Sequence, residues 1–176
     1  MKITIRRERQ SDYSTVFKVI ENAFLTMEFS DSKEQFLVER LRRSDAFIPD
    51  LSLVAEFENK IVGHILLTKI IIKNDREEVS ALALAPVSVL PEYQKQGIGT
   101  MLIEYAHKIG EKLNYELVVL LGHEKYYPRF GYVQADKLGI KLPFEVPNEN
   151  CMVKVLGKND IKEVNGTVVY PKEFNE

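Results

Sequence analysis

The residues best placed to do chemistry stand where an apolar, β-branched run, Val87-Ser88-Val89-Leu90-Pro91, turns into Gln94-x-x-Gly97-x-Gly99 and then at once into helical periodicity. A strand, a glycine loop and a helix start together form an anion site. The first helical N–H groups have no intrahelical partner and stand at the positive end of the helix dipole. Glycine lets a phosphate reach the main chain with no Cβ in between. The chemistry expected here is binding of a phosphate- or pyrophosphate-bearing ligand. Two other phosphate loops fit less well. No G-x-x-x-x-G-K-[ST] string occurs. The dinucleotide pattern G-x-G-x-x-G would need a glycine where Leu102 stands. Glu116 follows at about 20 residues, the spacing of a ribose-binding acid, but it precedes a strand, whereas that acid sits near a strand's end.

The elements that must position this loop can be read from hydrophobic period. Residues 3–6 alternate as a short strand. Ser11 is expected to cap a helix with the apolar stripe Val16, Val19, Ile20, Ala23 and Phe24. Asp31 and Glu34 have capping-box spacing before a second helix with Phe36, Leu37 and Leu41 on its apolar face. Residues 51–57 and 61–72 read as a hairpin joined near Asn59-Lys60, and residues 79–89 as the next strand. Pro86 inside that strand cannot donate to a ladder, which predicts a bulge or a splayed edge. Ile98, Leu102, Tyr105, Ala106, Ile109 and Leu113 have helical spacing. Residues 117–121 form a continuous apolar strand that Gly122 ends. A short helix around residues 126–130 follows, then a loop over 141–150 and a strand over 152–156. The expected order, β-α-α-β-β-β-α-β-α-β-β, is a mixed α/β sheet with helices and not a strictly alternating doubly wound one.

Composition bounds the function. The chain has 176 residues, 45% hydrophobic and 28% charged, which suits one folded domain over residues 1–176. A formal net charge of −2 argues against a nucleic-acid surface as the main role. Cys151 is the only cysteine, so no intrachain disulfide forms. The opening residues lack a signal peptide's apolar core, and no run reaches the roughly 18 apolar residues of a membrane helix. A soluble, cytoplasmic protein with no membrane partner and no metal is expected.

The Gln94-x-x-Gly97-x-Gly99 loop after residues 87–91 resembles the acyl-CoA pyrophosphate loop of the GNAT N-acetyltransferase superfamily. The segment Tyr126-Tyr127-Pro128-Arg129-Phe130-Gly131-Tyr132 is similar to the tyrosine-to-Gly-Phe segment late in these enzymes, with Tyr132 where Phe is commoner. The paired strands over 51–56 and 61–66, and the endings over 144–147 and 166–171, resemble a bacterial subgroup of N-acetyltransferases. The resemblance implies a GNAT-like acyl-CoA N-acyltransferase fold: a mostly antiparallel central sheet with one splayed parallel pair and helices on both faces. It implies acetyl transfer from acetyl-CoA to a primary amine. Carried over residue by residue, Val87, Ser88 and Val89 would hold pantetheine. Gln94, Lys95, Gln96, Gly97, Ile98, Gly99 and Thr100 would hold the pyrophosphate. The parting strands would be 79–89 and 117–121.

The chemistry then needs a neutral amine, a donor for the developing oxyanion and a hydrogen bond to the departing thiolate. Tyr127 stands four residues before Gly131, where the family places its acid. A phenol at pKa about 10 against a thiol at about 8.5 makes full proton transfer uphill by roughly 2 kcal/mol. A packing role for Tyr127 is the alternative. For the base, Glu28, Glu34, Glu56, His64, His123, Glu124 and Glu145 are all candidates. His123 follows the strand at the splay, and Glu145 lies in the loop shared with the subgroup. His64 reads as a structural histidine in an apolar strand, and Cys151 as a buried structural thiol. Phe24, Met27, Phe29, Phe47 and Phe144 could line an acceptor pocket or belong to the core. The acceptor, a small molecule or a peptide amine, and the oligomeric state, a homodimer included, stay open. A non-catalytic acyl-CoA sensor or interaction module is the rival reading.

Overall fold

A computed structural model describes residues 1–157 and 164–176. Among the described residues nine strands join in one sheet: β1 (Thr4–Arg7), β2 (Ser52–Phe57), β3 (Lys60–Lys73), β4 (Glu78–Val89), β5 (Leu117–Leu121), β6 (Val133–Gln134), β7 (Ile140–Lys141), β8 (Cys151–Val155) and β9 (Gly166–Val169). Three α-helices of the described residues accompany them: α1 (Tyr13–Phe24), α2 (Glu34–Leu41) and α3 (Ile98–Lys112). The spatial order is β1-β2-β3-β4-β5-β8-β6. Strand β3 outruns β2, and its freed edge takes β9 through Ile71, Ile72 and Lys73. All pairings are antiparallel except β4 with β5 and a two-residue pairing of β7 with β9 at the periphery.

Two layers of side chains fix the sheet faces. Leu53, Ala55, Ile65, Leu67, Leu82, Val118 and Leu120 point toward α3, whose Ile98, Leu102, Ile103 and Ala106 complete that core. On the opposite face, Val54, Leu66 and Ala85 meet Val16, Val19 and Ile20 of α1 and Val38 and Leu41 of α2. Farther along that same face lie Ile70, Ile72, Ala81, Ala83, Val119 and Val168.

The parity of β4 changes where proline predicts a disturbance. Opposite Ile65 and Leu67 of β3 stand Val87 and Leu84, so β4 carries one extra residue, around Ala85-Pro86. Before the bulge Leu82 and Leu84 face α3; after it Val87 and Val89 do. A bulge bends its strand and raises the local twist. Strand β5 pairs with β4 only at Leu82 opposite Val118 and Ala83 opposite Val119. Beyond those two pairs the parallel strands part.

Several local expectations need correction. Ser11 lies within a 3₁₀ turn and does not cap α1; the Asp12 carboxylate instead accepts the Arg9 N–H at 2.8 Å and bonds the Arg6 guanidinium at 2.7 Å. Asp31 closes a local turn onto the Lys33 N–H, so α2 starts only at Glu34. Its buried side chains are Gln35, Val38 and Leu41, while Phe36 is exposed. The hairpin turn sits on Glu58 and Asn59, both at positive φ, one residue earlier than Asn59-Lys60. The short helix expected after β5 is present, as a 3₁₀ helix over Tyr127–Phe130.

Candidate active site

The glycine loop stands at the free end of α3. Gly97 is the N-cap, at φ 83°, and no side chain caps the helix. The first helical bond runs from the Met101 N–H to the Gly97 carbonyl at 3.0 Å, so the N–H groups ahead of it lack helical partners. A Cβ on Gly97 would meet nothing within 4 Å; its space is open, and its backbone angle is what demands glycine. Lys95 also takes positive φ. The Gln94 side chain turns inward and donates to the Val89 carbonyl at 3.0 Å, and Gln96 donates to the Glu92 carbonyl at 3.2 Å. These amides brace the loop onto the end of β4, leaving its main chain outward. Ile98 is buried beneath it, while Gln94, Lys95, Gln96 and Gly97 are exposed.

Strand β4 leads from this loop to the gap. Val87 and Val89 pack on the α3 side, and Ser88 is buried with its hydroxyl 3.4 Å from the His64 carbonyl. The other edge of β4 past Ala83 has no pairing with β5. A cleft of about 460 Å³ opens there. Ala83 and Leu84 line it from β4, and Val119, Leu120 and Leu121 from β5. Leu84 and Leu120 belong to the α3 side and Ala83 and Val119 to the opposite side, so the opening passes between the strands.

The tyrosine segment closes on the same end of β5. Tyr127 lies against Gly122, where a Cβ would fall 2.5 Å from its ring. Its ring also meets Tyr126 at 5.0 Å and Tyr132 at 5.7 Å between centroids. Burial pushes the Tyr127 phenol up to about 12, with the neighbouring Tyr126 adding to the shift. Asn150 pins this turn: its side chain donates to the Gly122 carbonyl at 3.0 Å, and the Gly122 N–H donates to its carbonyl at 2.8 Å. The Tyr126 hydroxyl reaches over α3, 3.3 Å from where a Cβ on Gly99 would stand. Arg129 stacks on the Tyr126 ring at 4.6 Å. Nothing in the sequence marks Asn150, and the close approach of Tyr126 to Gly99 belongs to the tertiary fold.

The base candidates are scattered. The His123 Nδ1 accepts the Lys125 N–H at 3.1 Å, which closes its own turn. Glu145 lines a separate cavity of about 650 Å³ with Asp136, Lys141 and Cys151. Phe144 alone among the aromatic candidates lines the cleft between the strands. Phe24 and Phe47 pack on the α1–α2 core, and Met27 and Phe29 are exposed away from it. His64 is fully buried and bonded to the Ser52 hydroxyl at 3.1 Å, and its pKa is lowered by burial, with nearby Arg42 adding, to about 3. Cys151 is buried at the start of β8 opposite Leu121, its pKa raised by burial. Among the described residues no helix is long and apolar enough to cross a membrane.

Comparison with known proteins agrees with this architecture. A family model described as an acetyltransferase (GNAT) domain matches residues 49–134. An uncharacterized N-acetyltransferase of Escherichia coli, YjhQ, is 38% identical over 126 residues, covering 71% of this chain and 70% of that protein. The crystal structure of a GNAT family acetyltransferase from Brucella melitensis in complex with acetyl-CoA superposes with a TM-score of 0.79 at 31% identity, covering 98% of both chains. The Escherichia coli protein YhbS, crystallised with CoA, shares the fold at a TM-score of 0.88 and 24% identity, over 100% of this chain and 93% of that one. A splayed parallel pair, a glycine loop at an uncapped helix start and this degree of likeness lead to one conclusion: the chain belongs to the GNAT family of acetyltransferases.

Proposed function

We propose that the protein transfers the acetyl group of acetyl-CoA directly to a primary amine. The observation that carries this reading is the opening between β4 and β5 beside the free N-terminus of α3. In this reading the main chain of residues 94–100 binds the pyrophosphate, with Gly97 and Gly99 admitting it and Gln94 holding the loop in shape. Pantetheine runs along Val87, Ser88 and Val89 and enters the gap. The acetyl-CoA complex of the Brucella melitensis relative supports this choice of cosubstrate.

The neutral amine nitrogen attacks the thioester carbonyl, the C–N bond forms, the nitrogen gives up one proton to water, the C–S bond breaks and the thiolate leaves. A β4 main-chain N–H facing the gap donates to the carbonyl oxygen as charge develops on it. Donors of this kind are worth roughly 3–4 kcal/mol elsewhere. Tyr127 supports the thiolate. With its pKa pushed to about 12, full proton transfer to a thiolate of ordinary basicity, about 8.5, would be uphill by roughly 5 kcal/mol. The role assigned to Tyr127 is therefore a hydrogen bond that strengthens as the sulfur becomes anionic, with the final proton coming from water.

Isothermal titration with acetyl-CoA, followed by thiol release across an amine panel, tests the proposal. Binding in the micromolar range with amine-dependent release is the expected result. No binding at millimolar acetyl-CoA overturns the assignment. Binding without release on any amine identifies an acyl-CoA-binding module.

A further inference from the structure

We infer that the acceptor is a small primary amine carried on an aliphatic or aromatic body with no second positive charge, seated in the cleft between Phe144, Tyr170 and the ends of β5 and β9. This rests on the transferase reading above and names its substrate class.

The cleft opens from the strand gap toward the α1–α2 side of the sheet, where Val169, Tyr170 and Phe174 form its far wall. Its described lining contains no Asp, Glu, Lys, Arg or His. Two large apolar side chains among its lining stay half-exposed: Leu121 is 50% exposed and Phe144 49%. Phe144 and Tyr170 stack at 6.0 Å with 20° between planes, and Tyr170 leans on Phe174 at 4.9 Å. These rings make a continuous aromatic wall for an apolar group. The volume of about 460 Å³ lies within the range of small-molecule sites, roughly 300–1,000 Å³.

Charge decides between acceptor classes. A polyamine, an aminosugar or a lysine-rich peptide brings several ammonium groups that would be desolvated with no carboxylate to meet them. Glu145 lines the adjacent cavity and is not among the residues that line this cleft. A single amine on an apolar body meets the opposite balance. Its body gains by leaving water, and desolvation of its ammonium favours the neutral nucleophile that attack requires. In such a site the amine loses its proton to water on entry, and no dedicated enzymic base is needed.

The test is kcat/KM for thiol release from saturating acetyl-CoA with butylamine, pentylamine, hexylamine and 2-phenylethylamine, against spermidine, kanamycin and a lysine-rich peptide. Each methylene from butylamine to hexylamine should raise kcat/KM about fourfold, and 2-phenylethylamine should exceed the polycations at least tenfold. The ascending limb of the pH profile should move with the pKa of the amine used, and not sit at an enzymic group's fixed pKa. The rim variant Phe144→Asp, at a half-exposed position, should cut kcat/KM for 2-phenylethylamine about tenfold with the acetyl-CoA affinity within twofold. Equal or better turnover of the polycations, a flat methylene series, or bound acetyl-CoA with no release to any alkyl or arylalkyl amine overturns the inference. Failure to bind acetyl-CoA overturns the transferase reading itself.

Discussion

At the scale of single residues, two adjacent tyrosines of one segment meet different neighbours, and we propose that Tyr127 serves the thiolate and Tyr126 the CoA-binding start of α3. Tyr127 is held against Gly122 at the end of β5, among Tyr126, Phe130 and Tyr132. Tyr126 sends its hydroxyl the other way, to Gly99 at the start of α3. The proposed roles separate on substitution. Tyr127→Phe keeps the packing aromatic and removes the donor, so turnover should fall about 10- to 100-fold, the scale of a hydrogen bond to a charged group, with acetyl-CoA affinity within twofold. Unchanged turnover in steady-state thiol release would move the donor role to another group. Tyr126→Phe should do the reverse: a roughly 2- to 10-fold loss of CoA affinity, read by calorimetry, with turnover at saturation preserved. Equal affinity in that variant would make Tyr126 a packing residue only.

At the scale of elements, the β4 bulge, the loop and α3 form one continuous device. The extra residue around Ala85-Pro86 changes which side chains of β4 face α3 and coincides with the loss of pairing to β5. Proline marks this place because it removes a ladder donor. Gly97 then sets the left-handed turn that starts α3 with its N–H groups open. Gly97→Val should cost about 1–2 kcal/mol from the left-handed conformation, seen in urea unfolding. It should also weaken acetyl-CoA binding more than tenfold, because the added carbons occupy the phosphate's approach. Retained affinity would place the pyrophosphate elsewhere. These elements were legible because each has a local cause: alternation, helical spacing, a proline and a glycine. The misread helix starts had local causes as well. The Asp12 and Asp31 side chains are used in other hydrogen bonds, to Arg6 and Arg9 in one case and to Lys33 in the other.

At the scale of the whole molecule, buried polar groups tie the two faces to the sheet. On one face Glu8 pairs with Arg42 just past α2, accepts from Ser52 at 2.6 Å, and Ser52 meets His64 on β3. His64 Nδ1 has no hydrogen-bond partner, so a proton there would be stranded in the core. On the α3 face, His107 meets the Tyr132 hydroxyl at 2.7 Å, and burial, with nearby Lys154 adding, lowers its pKa to about 4. Both histidines are neutral in the native state and would titrate near 6.5 when unfolded. Below pH 6.5 the unfolded chain therefore binds protons that the native protein refuses, so acid favours unfolding. Stability should be full above pH 6.5 and fall progressively as pH drops toward 4, with His64 extending the loss toward 3. Urea titrations at pH 7.5 and 5.0 check this, and His107→Gln should flatten the dependence. Equal stability at both pH values would contradict the neutral, buried assignment of the two rings.

The sequence by itself determined the longer strands, the presence of the three α-helices, the glycine loop and the proline-marked defect, because each is written in residues within one or two turns of one another; the two-residue strands β6 and β7 carry no such local signal. It also determined the family resemblance, through the motif from Gln94 to Gly99 and the segment from Tyr126 to Tyr132. Only the tertiary structure decided that Tyr126 overhangs Gly99, that Asn150 braces the turn after β5, and that Phe144 meets Tyr170 at the strand gap. Those contacts join residues about 26 to 28 positions apart. No propensity or period encodes such a meeting, since it depends on where the sheet's twist and its bulges carry each chain end.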